Sequence, residues 1–456
     1  MADLLALEDI VGSQHVLTGD AISDDYTRDE ALTATPQMPI AVVRPADTDQ
    51  VAAVVGWASE NGVPLTARGS GTGLSGACIP RADGILVSFE RMAEIVEVDD
   101  ANHVAVVQPG VTLQQLDEAL KPHGLVYPVF PGESSASLGG NVATNAGGMR
   151  AVRYGVTRHQ VLGLTAVLGT GEVLHTGGKF VKATSGYDLT QLIIGSEGTL
   201  ALATQAILRL HPRLTHGVTT LIPFATMEDV SAAIPPIVGS GIMPTVLEYI
   251  DFITMSAMTR SANLELGVPA EIKEKTLAYL VVVLENRSDE RVEEDTAELA
   301  DLVMALGALD VYVLPRASGA ALIEAREKAF WNAKASGAND ILDLVVPRAA
   351  IPLYLAKVQE VAAATGSLIV GCGHAGDGNV HLSVLQGDPD VRTRVVGDVL
   401  AAGVALGGAV SGEHGIGTEK KKYLAAIEDP NKLDLMRRIK AAFDPAGILN
   451  PGAIFD

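Results

Sequence analysis

Cysteine is scarce in this chain of 456 residues, which contains only Cys78 and Cys372, far apart in the sequence. Two distant cysteines provide neither a disulfide framework nor the four thiolates of an iron–sulfur cluster. This usage is typical of proteins in a reducing compartment.

Long apolar runs are missing as well. No window reaches the ~18 uninterrupted apolar residues of a membrane span. The first segment, "MADLLALEDIVGSQHVLTGD", has no basic stretch and no long apolar core, so it does not resemble a signal peptide. Its apolar residues recur on one face of a short amphipathic helix, namely Leu4, Leu5, Leu7, Ile10 and Val11. We expect a cytoplasmic protein, with peripheral association at the inner face of the membrane left open.

Basic residues are outnumbered: 33 Lys and Arg stand against 55 Asp and Glu, which gives a net charge of −22. A surface this acidic repels nucleic acid and anionic lipid, so neither is expected as a partner. The one basic run, Lys420 to Lys422, is interpreted as the solvated start of a helix.

Internal repeats and low-complexity linkers are absent, so domain boundaries have to be inferred from pattern. The length favours two or three domains. The pattern changes near residue 215, and we predict a first domain over residues 1–215 with its core at about 35–212. A second domain is expected over 216–410, and a C-terminal segment over 411–456 that packs on the first domain and completes the active site.

Helices are predicted to alternate with strands in the second domain. The predicted helices cover 227–239, 247–260, 289–306 and 319–334. Strands are predicted at 279–286 and 309–314, a hairpin at 367–386 and a helical tail at 420–446.

A glycine-rich turn in the first domain has the spacing G-x-G-x-x-G, formed by Gly71, Gly73 and Gly76. A Rossmann site requires a helix directly after this turn, because the helix N-terminus holds the pyrophosphate. Here Pro80 and Gly84 break any helix, and the strand "GILVSFE" follows. The turn therefore does not indicate NAD. It is either an anion-binding nest or a tight turn that needs positive φ.

Two further segments favour a cofactor site. Residues 131–148, "PGESSASLGGNVATNAGG", form a loop too long and too rich in small residues for a simple turn. "GSEGTL" follows at 195–200. Small residues let the backbone approach a ligand closely.

Histidines flank a predicted hairpin turn in "GHAGDGNVH". If Asp377 and Gly378 form a two-residue turn, His374 and His381 lie directly opposite each other, with Cβ atoms ~4.5–5.5 Å apart. Both imidazoles could then reach one metal ion, or they form a partly exposed pair without one. Glu413 in "SGEHGIG" offers a third ligand, and the absence of H-E-x-x-H argues against a zincin protease.

Four segments together resemble the FAD-linked D-2-hydroxy acid dehydrogenases of the vanillyl-alcohol oxidase superfamily. This group includes glycolate oxidase catalytic subunits, D-lactate dehydrogenases and D-2-hydroxyglutarate dehydrogenases. The segments are "PLTARGSGTGLSG", "PGESSASLGGNVATNAGG", "KATSGYDLTQLIIGSEGTLALATQAILRLHP" and "GHAGDGNVH…SGEHGIGTEKK". The resemblance implies an α+β fold: a two-subdomain FAD-binding domain of the vanillyl-alcohol oxidase type, an α+β substrate (cap) domain over the isoalloxazine ring, and a C-terminal helical segment.

The resemblance also implies which residues bind FAD. The pyrophosphate is expected at Arg68, Gly69, Ser70, Gly71, Thr72 and Gly73. The flavin and the rest of the cofactor are expected at Ser134, Ser137, Gly140, Asn141, Ala143, Thr144, Gly147, Glu197, Gly198, Thr199 and Asn450. Relatives with covalent FAD often have a His where this chain has Thr72, so the FAD is expected to be non-covalent.

For the chemistry, the resemblance implies that His374, His381 and Glu413 bind zinc or a similar divalent ion. His414 is expected as the base, Arg326 as the partner of the substrate carboxylate and Asn379 as a further substrate contact. The reaction implied is hydride transfer from a D-2-hydroxy acid to flavin N5. Electrons then pass to a quinone, a cytochrome, an iron–sulfur partner protein or oxygen. A homodimer is a further possibility.

The chain departs from the hydroxyglutarate enzymes at Ile341, because those relatives have a Lys two residues before the Asp that corresponds to Asp343. The departure favours glycolate or D-lactate over D-2-hydroxyglutarate. Two other interpretations remain: an alcohol or aldonolactone oxidase of the same flavin fold, and a non-redox metalloprotein such as a hydrolase.

Overall fold

The computed structural model describes residues 4–455 and has an α+β fold. The strands of the part up to Pro212 are β1 (Val16–Leu17), β2 (Ala41–Val43), β3 (Leu65–Arg68), β4 (Ile85–Ser88), β5 (Ile95–Asp99), β6 (Val104–Val107), β7 (Leu125–Val126), β8 (Val161–Leu168), β9 (Val173–Gly177), β10 (Ala201–Arg209) and β11 (His211–Pro212). The helices of this part are α1 (Leu5–Val11), α2 (Thr48–Asn61), α3 (Leu113–Leu120), α4 (Leu138–Thr144), α5 (Ala151–Tyr154), α6 (Thr157–Gln160) and α7 (Leu189–Ile193).

A four-stranded sheet begins the fold, with the order β1-β2-β4-β3 and parallel pairing of β4 with both β2 and β3. Helix α2 connects β2 to β3. The Asp47 side chain accepts a hydrogen bond from the Gln50 amide at its start, and Gly62 ends it in the left-handed conformation. After β3 the chain passes through the glycine turn directly into β4, which confirms that no Rossmann helix follows it.

An antiparallel sheet with the order β5-β6-β10-β8-β9 forms the second layer, and β7 pairs with β11 beside it. The segment 131–148 is not a continuous loop, because it contains α4. Ser137 begins this helix by accepting a hydrogen bond from the Gly140 amide, and Asn145 ends it with φ 54°. The small residues therefore form a helix packed against β10 as well as a turn.

The strands after Pro212 are β12 (His216–Phe224), β13 (Val246–Asp251), β14 (Ala278–Asn286), β15 (Tyr312–Val313), β16 (Asp340–Val345), β17 (Leu368–His374) and β18 (Asn379–Leu385). The helices are α8 (Met227–Gly239), α9 (Phe252–Ser261), α10 (Ala270–Lys273), α11 (Asp289–Ala305), α12 (Arg316–Glu327), α13 (Ala329–Ala335), α14 (Ile351–Thr365), α15 (Pro389–Ala405), α16 (Lys421–Ile427) and α17 (Pro430–Phe443).

One seven-stranded antiparallel sheet organises this second part, with the order β15-β12-β14-β13-β17-β18-β16. Its two faces have separate apolar cores. Helices α8, α11, α14 and α15 pack on one face, and α9 and α12 pack on the other. The second face carries the candidate active site.

The prediction of a single helix over 247–260 is wrong in its first part. Residues Val246–Asp251 form β13, which pairs with β14 on one side and β17 on the other, and α9 begins only at Phe252. The apolar residues of "VLEYI" fit both the helical and the strand periodicity, and the pairing of this segment with two neighbouring strands favours the strand. This correction matters because Glu248 lies in the middle of β13.

Four smaller predictions also need correction. The predicted strand 309–314 is limited to Tyr312–Val313, and the predicted helices 319–334 and 420–446 are each divided in two. Lys420 is not solvated: it is 5 % exposed, and its Nζ has no hydrogen-bond partner.

The C-terminal segment returns to the first sheet. The Leu65 amide donates to the Ile448 carbonyl, and the Asn450 amide donates to the Leu65 carbonyl. The division into domains at 215 and 410 stays a prediction. Residues 1–3 of the predicted first domain and residue 456 of the predicted C-terminal segment lie outside the described residues. Among residues 4–455, no helix combines the length and apolar character needed to cross a membrane.

Candidate active site

A cleft of about 220 Å³ lies where the three glycine-rich segments meet. The first two segments are in contact, since the Ser70 hydroxyl donates to the Ser135 carbonyl at 2.5 Å. Glycine is required at two positions. A Cβ on Gly69 would lie 1.9 Å from Ser137 Oγ, and Gly71 has φ +75° with the Arg68 guanidinium against its Cα. The cleft is therefore lined closely by backbone.

Most of the residues predicted to bind FAD line this cleft. They are Arg68, Gly69, Ser70, Gly71, Thr72, Gly73, Ser137, Gly140, Asn141, Ala143, Thr144, Glu197 and Gly198. Asn141 is 4 % exposed, and its amide nitrogen has no hydrogen-bond partner in the described structure. A buried donor of this kind normally has a partner, so the cleft fits a ligand with polar acceptors such as FAD.

Four of the predicted cofactor residues do not line the cleft: Ser134, Gly147, Thr199 and Asn450. The Asn450 side chain instead donates to the Ala77 and Glu197 carbonyls at 2.8 and 2.7 Å. The Thr199 hydroxyl donates to the Ser196 carbonyl, and a Cβ on Gly147 would lie 2.6 Å from Glu413 Oε2. These residues support the walls of the cleft and the neighbouring catalytic loop.

The loop "SGEHGIG" is held between the cleft and the seven-stranded sheet. On the cleft side, the Glu197 carboxylate accepts hydrogen bonds from the Ile416 and Gly417 amides, both at 2.7 Å. On the sheet side, Asp343 Oδ2 accepts from the amides of residues 412–414 at 2.8–3.1 Å. The loop is therefore fixed by one buried carboxylate on each side.

The histidine pair lies on the hairpin of β17 and β18, but the predicted turn is wrong. The turn has four residues, 375–378, because the Asp377 and Gly378 amides both donate to the His374 carbonyl. His374 therefore lies opposite Asn379 rather than His381. The two histidines are diagonal neighbours on the same face, with ring centroids 4.8 Å apart, and diagonal pairs remain within reach of long side chains.

Acidic residues continue this row across the sheet. Glu248 on β13 is directly opposite His374, and Asp343 on β16 is directly opposite His381. Both acids are fully buried. Glu248 Oε1 lies 2.6 Å from His374 Nδ1, so it fixes the ring and directs Nε2 towards Glu413.

The arrangement fits a metal ion. Glu413 Oε1 lies 3.2 Å from His374 Nε2 and 3.3 Å from His381 Nε2, yet His381 Nε2 has no hydrogen bond. Three possible ligand atoms thus converge, and one of them, His381 Nε2, is buried without a hydrogen bond. Burial opposes protonation of His374, but the carboxylates of Glu248 and Glu413 raise its pKa well above the usual value. The site therefore attracts positive charge, and a divalent ion is a natural competitor for the proton.

A second grouping of possible ligands also exists, since Asp343, His381, Glu413 and His414 place donor atoms within 4.8 Å of one another. Asp343 is already saturated: its Oδ2 accepts from Ser411 Oγ and the loop amides, and its Oδ1 accepts from the Asn379 side chain at 2.7 Å. We therefore favour His374, His381 and Glu413 as the ligand set, with Glu248 supporting His374 in the manner usual for metal-binding histidines.

Asn379 does not line the cavity in which a substrate would bind. Its amide group donates to Asp343 Oδ1 and to the Leu344 carbonyl. Asn379 thus holds Asp343 and through it the loop, and its contact with a substrate stays a prediction.

A cavity of about 320 Å³ brings Arg326, His374, His381, Glu413 and His414 together. It adjoins the cofactor cleft, because Glu413 and His414 line both. Burial lowers the pKa of His414 to about 4, against the effect of Asp343, so its imidazole is neutral and can accept a proton.

Arg326 is buried beside Glu248. Its Nη2 lies 2.7 Å from Glu248 Oε2, but the angle is not that of a hydrogen bond, and Nε is also without a partner. The guanidinium therefore has donors available to a ligand.

Sequence reasoning missed the roles of Glu248 and Asp343. The available signal was a single acidic residue within an apolar run, in "TVLEYI" and in "ILDLVV". Acidic residues are rarely fully buried unless they have a partner.

A backbone-lined cleft joined to a buried cluster of histidines and carboxylates, in this α+β fold, fits a flavin-dependent oxidoreductase. The chain belongs to the FAD-linked oxidoreductases. The family model "FAD linked oxidases, C-terminal domain" matches residues 213–454, and the model "FAD binding domain" matches residues 39–177.

Similar proteins cover nearly the whole chain. An "Uncharacterized FAD-linked oxidoreductase" of Mycobacterium tuberculosis is 56 % identical over 100 % of this chain and 99 % of its own. The D-lactate dehydrogenase of Archaeoglobus fulgidus is 38 % identical over 95 % of this chain and 96 % of its own. The glycolate oxidase subunit GlcD of Bacillus subtilis is 36 % identical over 92 % of this chain and 91 % of its own.

The solved structures share the fold. That of p-cresol methylhydroxylase with substrate bound superposes with a TM-score of 0.81 at 19 % identity, over 99 % of this chain and 96 % of that chain. The expected fold class is confirmed.

Proposed function

We propose that the protein oxidises a D-2-hydroxy acid of the glycolate or D-lactate type to the corresponding 2-oxo acid, using non-covalent FAD and a zinc ion. The observation that carries this proposal is a single cavity that contains Arg326, the histidine–carboxylate cluster and His414, and that adjoins the FAD cleft. The names of the relatives, D-lactate dehydrogenase and glycolate oxidase, support the substrate class.

Each protein group has a part in the reaction. Arg326 binds the substrate carboxylate through guanidinium donors that have no hydrogen bond, although Nη2 also lies 2.7 Å from Glu248 Oε2; a bidentate pair is the strong geometry for a carboxylate. His414 accepts the hydroxyl proton, because burial keeps its imidazole neutral. His374, His381 and Glu413 would hold zinc, which lowers the pKa of a bound hydroxyl as a Lewis acid. FAD, when bound, accepts the two electrons and the hydrogen from C2.

The FAD is proposed to be non-covalent because the cleft has no reactive nucleophile at the expected position. Thr72 lines the cleft there, and burial raises the pKa of the nearby Cys78 thiol to about 12. A thiol of this kind is not ionised at neutral pH and is a poor nucleophile. Acid precipitation should release all the flavin into the supernatant, and flavin retained in the pellet would contradict this assignment.

Electrons are proposed to leave for a separate acceptor, namely a quinone, a cytochrome or an iron–sulfur partner protein, since the two cysteines of the chain provide no cluster of its own. The exposed surface also leaves room for a homodimer and for peripheral membrane association, which remain proposals.

The decisive experiment is anaerobic reduction of the purified holoenzyme with D- and L-2-hydroxy acids, before and after verified metal removal. We expect D-isomers to bleach the flavin, and removal of the metal to abolish this while the flavin stays bound. Bleaching by L-isomers alone would overturn the stereochemistry. Full bleaching without metal would remove zinc from the reaction, and bleaching only by simple alcohols or aldonolactones would place the protein in another branch of the fold.

A further inference from the structure

The cavity has two chemically different ends. The face of the β17–β18 hairpin that carries His374 and His381 continues, by strand alternation, through Cys372, Val370 and Leu368 on β17. On β18 it continues through Ser383 and Leu385. From Cys372 to Leu368 the wall extends for ~13 Å at ~3.3 Å per residue. The polar cluster therefore occupies only one end of the cavity.

Helices line the opposite side with mostly apolar residues, and the far end opens to solvent, since Ile253 and Leu368 are 52 % and 47 % exposed. Helix α9 contributes Ile253, Ala257 and Met258, and the start of α13 contributes Phe330 and Ala333. Helix α9 is in contact with β17, and α13 is in contact with α9. The far end is thus a slot between a sheet and two helices.

Charge in the cavity is confined to the polar end. Among the described residues that line it, Arg326 is the only Lys or Arg, and the acids Glu327 and Glu413 repel a second carboxylate. Ile341, which lies opposite Ser383 in the sheet, adds another apolar group. With the substrate carboxylate on Arg326, the remainder of the molecule meets mostly apolar walls, with Thr254, Asn332 and Ser336 as polar residues among them.

We propose, on the basis of the function proposed above, that the preferred 2-hydroxy acid carries an apolar side chain of about four or more carbons at C2. A slot of this length far exceeds the hydrogen of glycolate or the methyl group of D-lactate. Burial of each additional methylene is worth about fourfold in kcat/KM, which corresponds to ~0.8 kcal/mol. Branched aliphatic and aryl 2-hydroxy acids are the chemical class that fills the slot.

The test measures kcat/KM of the holoenzyme for glycolate, D-lactate, D-2-hydroxyisocaproate, D-3-phenyllactate and D-2-hydroxyglutarate. D-2-hydroxyisocaproate has three more side-chain carbons than D-lactate, so its kcat/KM is expected to be roughly 60-fold higher. A value for D-lactate or D-2-hydroxyglutarate equal to or above those of the longer apolar acids would overturn this inference but leave the proposed function standing. If none of these acids reduces the flavin, the proposed function itself fails.

A variant pair locates the preference in the slot. Both alanines are exposed, but only Ala257 lines the cavity, so Ala257→Phe adds a ring at the mouth of the slot. Ala262→Phe places the same ring at the C-terminal cap of α9, away from the cavity. We expect Ala257→Phe to lower the ratio of kcat/KM for D-2-hydroxyisocaproate over D-lactate at least tenfold, and Ala262→Phe to leave it unchanged. An unchanged ratio in Ala257→Phe, or an equal change in both variants, would contradict the assignment of the slot.

Discussion

The FAD cleft and the histidine–carboxylate cluster adjoin each other but are built on different principles. The cleft is formed by contiguous segments whose backbones approach closely, and its essential residues are glycines such as Gly69 and Gly71. The cluster is formed by side chains from β13, β16, β17 and β18 together with the loop around Glu413. Short sequence motifs therefore identify the cleft, whereas the cluster depends on long-range strand register.

The two regions also fail in different ways. The cleft depends on the absence of side chains, so adding a methyl group should damage it. The cluster depends on the charge and orientation of particular side chains. A substitution that keeps the shape of such a side chain but removes its charge should therefore damage the cluster. If the comparison is correct, FAD content and metal content can be lost independently.

The largest effect is expected for Glu413→Gln. The change keeps the shape of the side chain but removes the negative charge that lies 3.2 and 3.3 Å from His374 and His381. Loss of a ligand and of the Lewis acid it holds should lower the rate of flavin reduction by roughly a thousandfold, since the metal supplies several kcal/mol. The measurement is anaerobic stopped-flow reduction, with zinc determined by mass spectrometry and FAD by absorbance.

Glu294→Gln on the exposed side of α11 is the matched control and should retain full activity. Loss of FAD together with zinc in Glu413→Gln would contradict the independence of the cleft and the cluster. A rate within tenfold of the wild type would show that Glu413 is not a ligand.

The next effect is expected for Gly71→Val. Gly71 has φ +75°, and a Cβ there would lie 2.1–2.6 Å from the Arg68 guanidinium. A branched residue in this conformation is strained by ~1–3 kcal/mol, and the overlap of its Cβ with the Arg68 guanidinium adds to this strain. FAD should therefore bind about a hundredfold more weakly. Fluorescence titration with FAD measures the affinity, and the zinc content should remain that of the wild type.

Gly56→Ala in α2 is the control, because a Cβ there has open space and an ordinary φ. It should leave FAD affinity unchanged and stabilise the helix slightly. Unchanged FAD affinity in Gly71→Val would show that the glycine turn is not part of the cofactor site.

The same contrast explains how much could be predicted from the sequence. The glycine segments, His374, His381, Glu413 and His414 all lie in short recognisable motifs, and the structure brings them to one cleft and one cavity. The hairpin register was wrong by two residues because a four-residue turn replaces the expected Asp377–Gly378 turn. Turn length is decided by local hydrogen bonds that the sequence alone does not specify.

Glu248 could not be predicted because its strand was assigned to a helix. Even with the strand recognised, its place opposite His374 depends on a pairing between residues 126 positions apart. Asp343 presents the same difficulty, since its partners in the catalytic loop follow 68 to 71 positions later. The residues proposed to bind the ligands lie in short motifs, whereas the buried residues that orient them are recognised only from the fold.

The smallest effect is expected for Glu248→Gln, which separates orientation from ligation within the cluster. Gln keeps an oxygen that can accept from His374 Nδ1 at the position of Glu248 Oε1 but removes the charge. Loss of such a supporting carboxylate typically weakens metal binding 10–100-fold. Because Gln retains the hydrogen-bond acceptor, we expect zinc binding to weaken about tenfold in this variant. Zinc titration of the metal-free protein measures the affinity, and excess zinc should restore most of the rate of flavin reduction in this variant but not in Glu413→Gln. FAD affinity should not change, because Glu248 does not line the cleft. If Glu248→Gln bound zinc with wild-type affinity, the role of Glu248 would be limited to pairing with Arg326. If excess zinc did not restore the activity of this variant, Glu248 would be as essential as the proposed ligands.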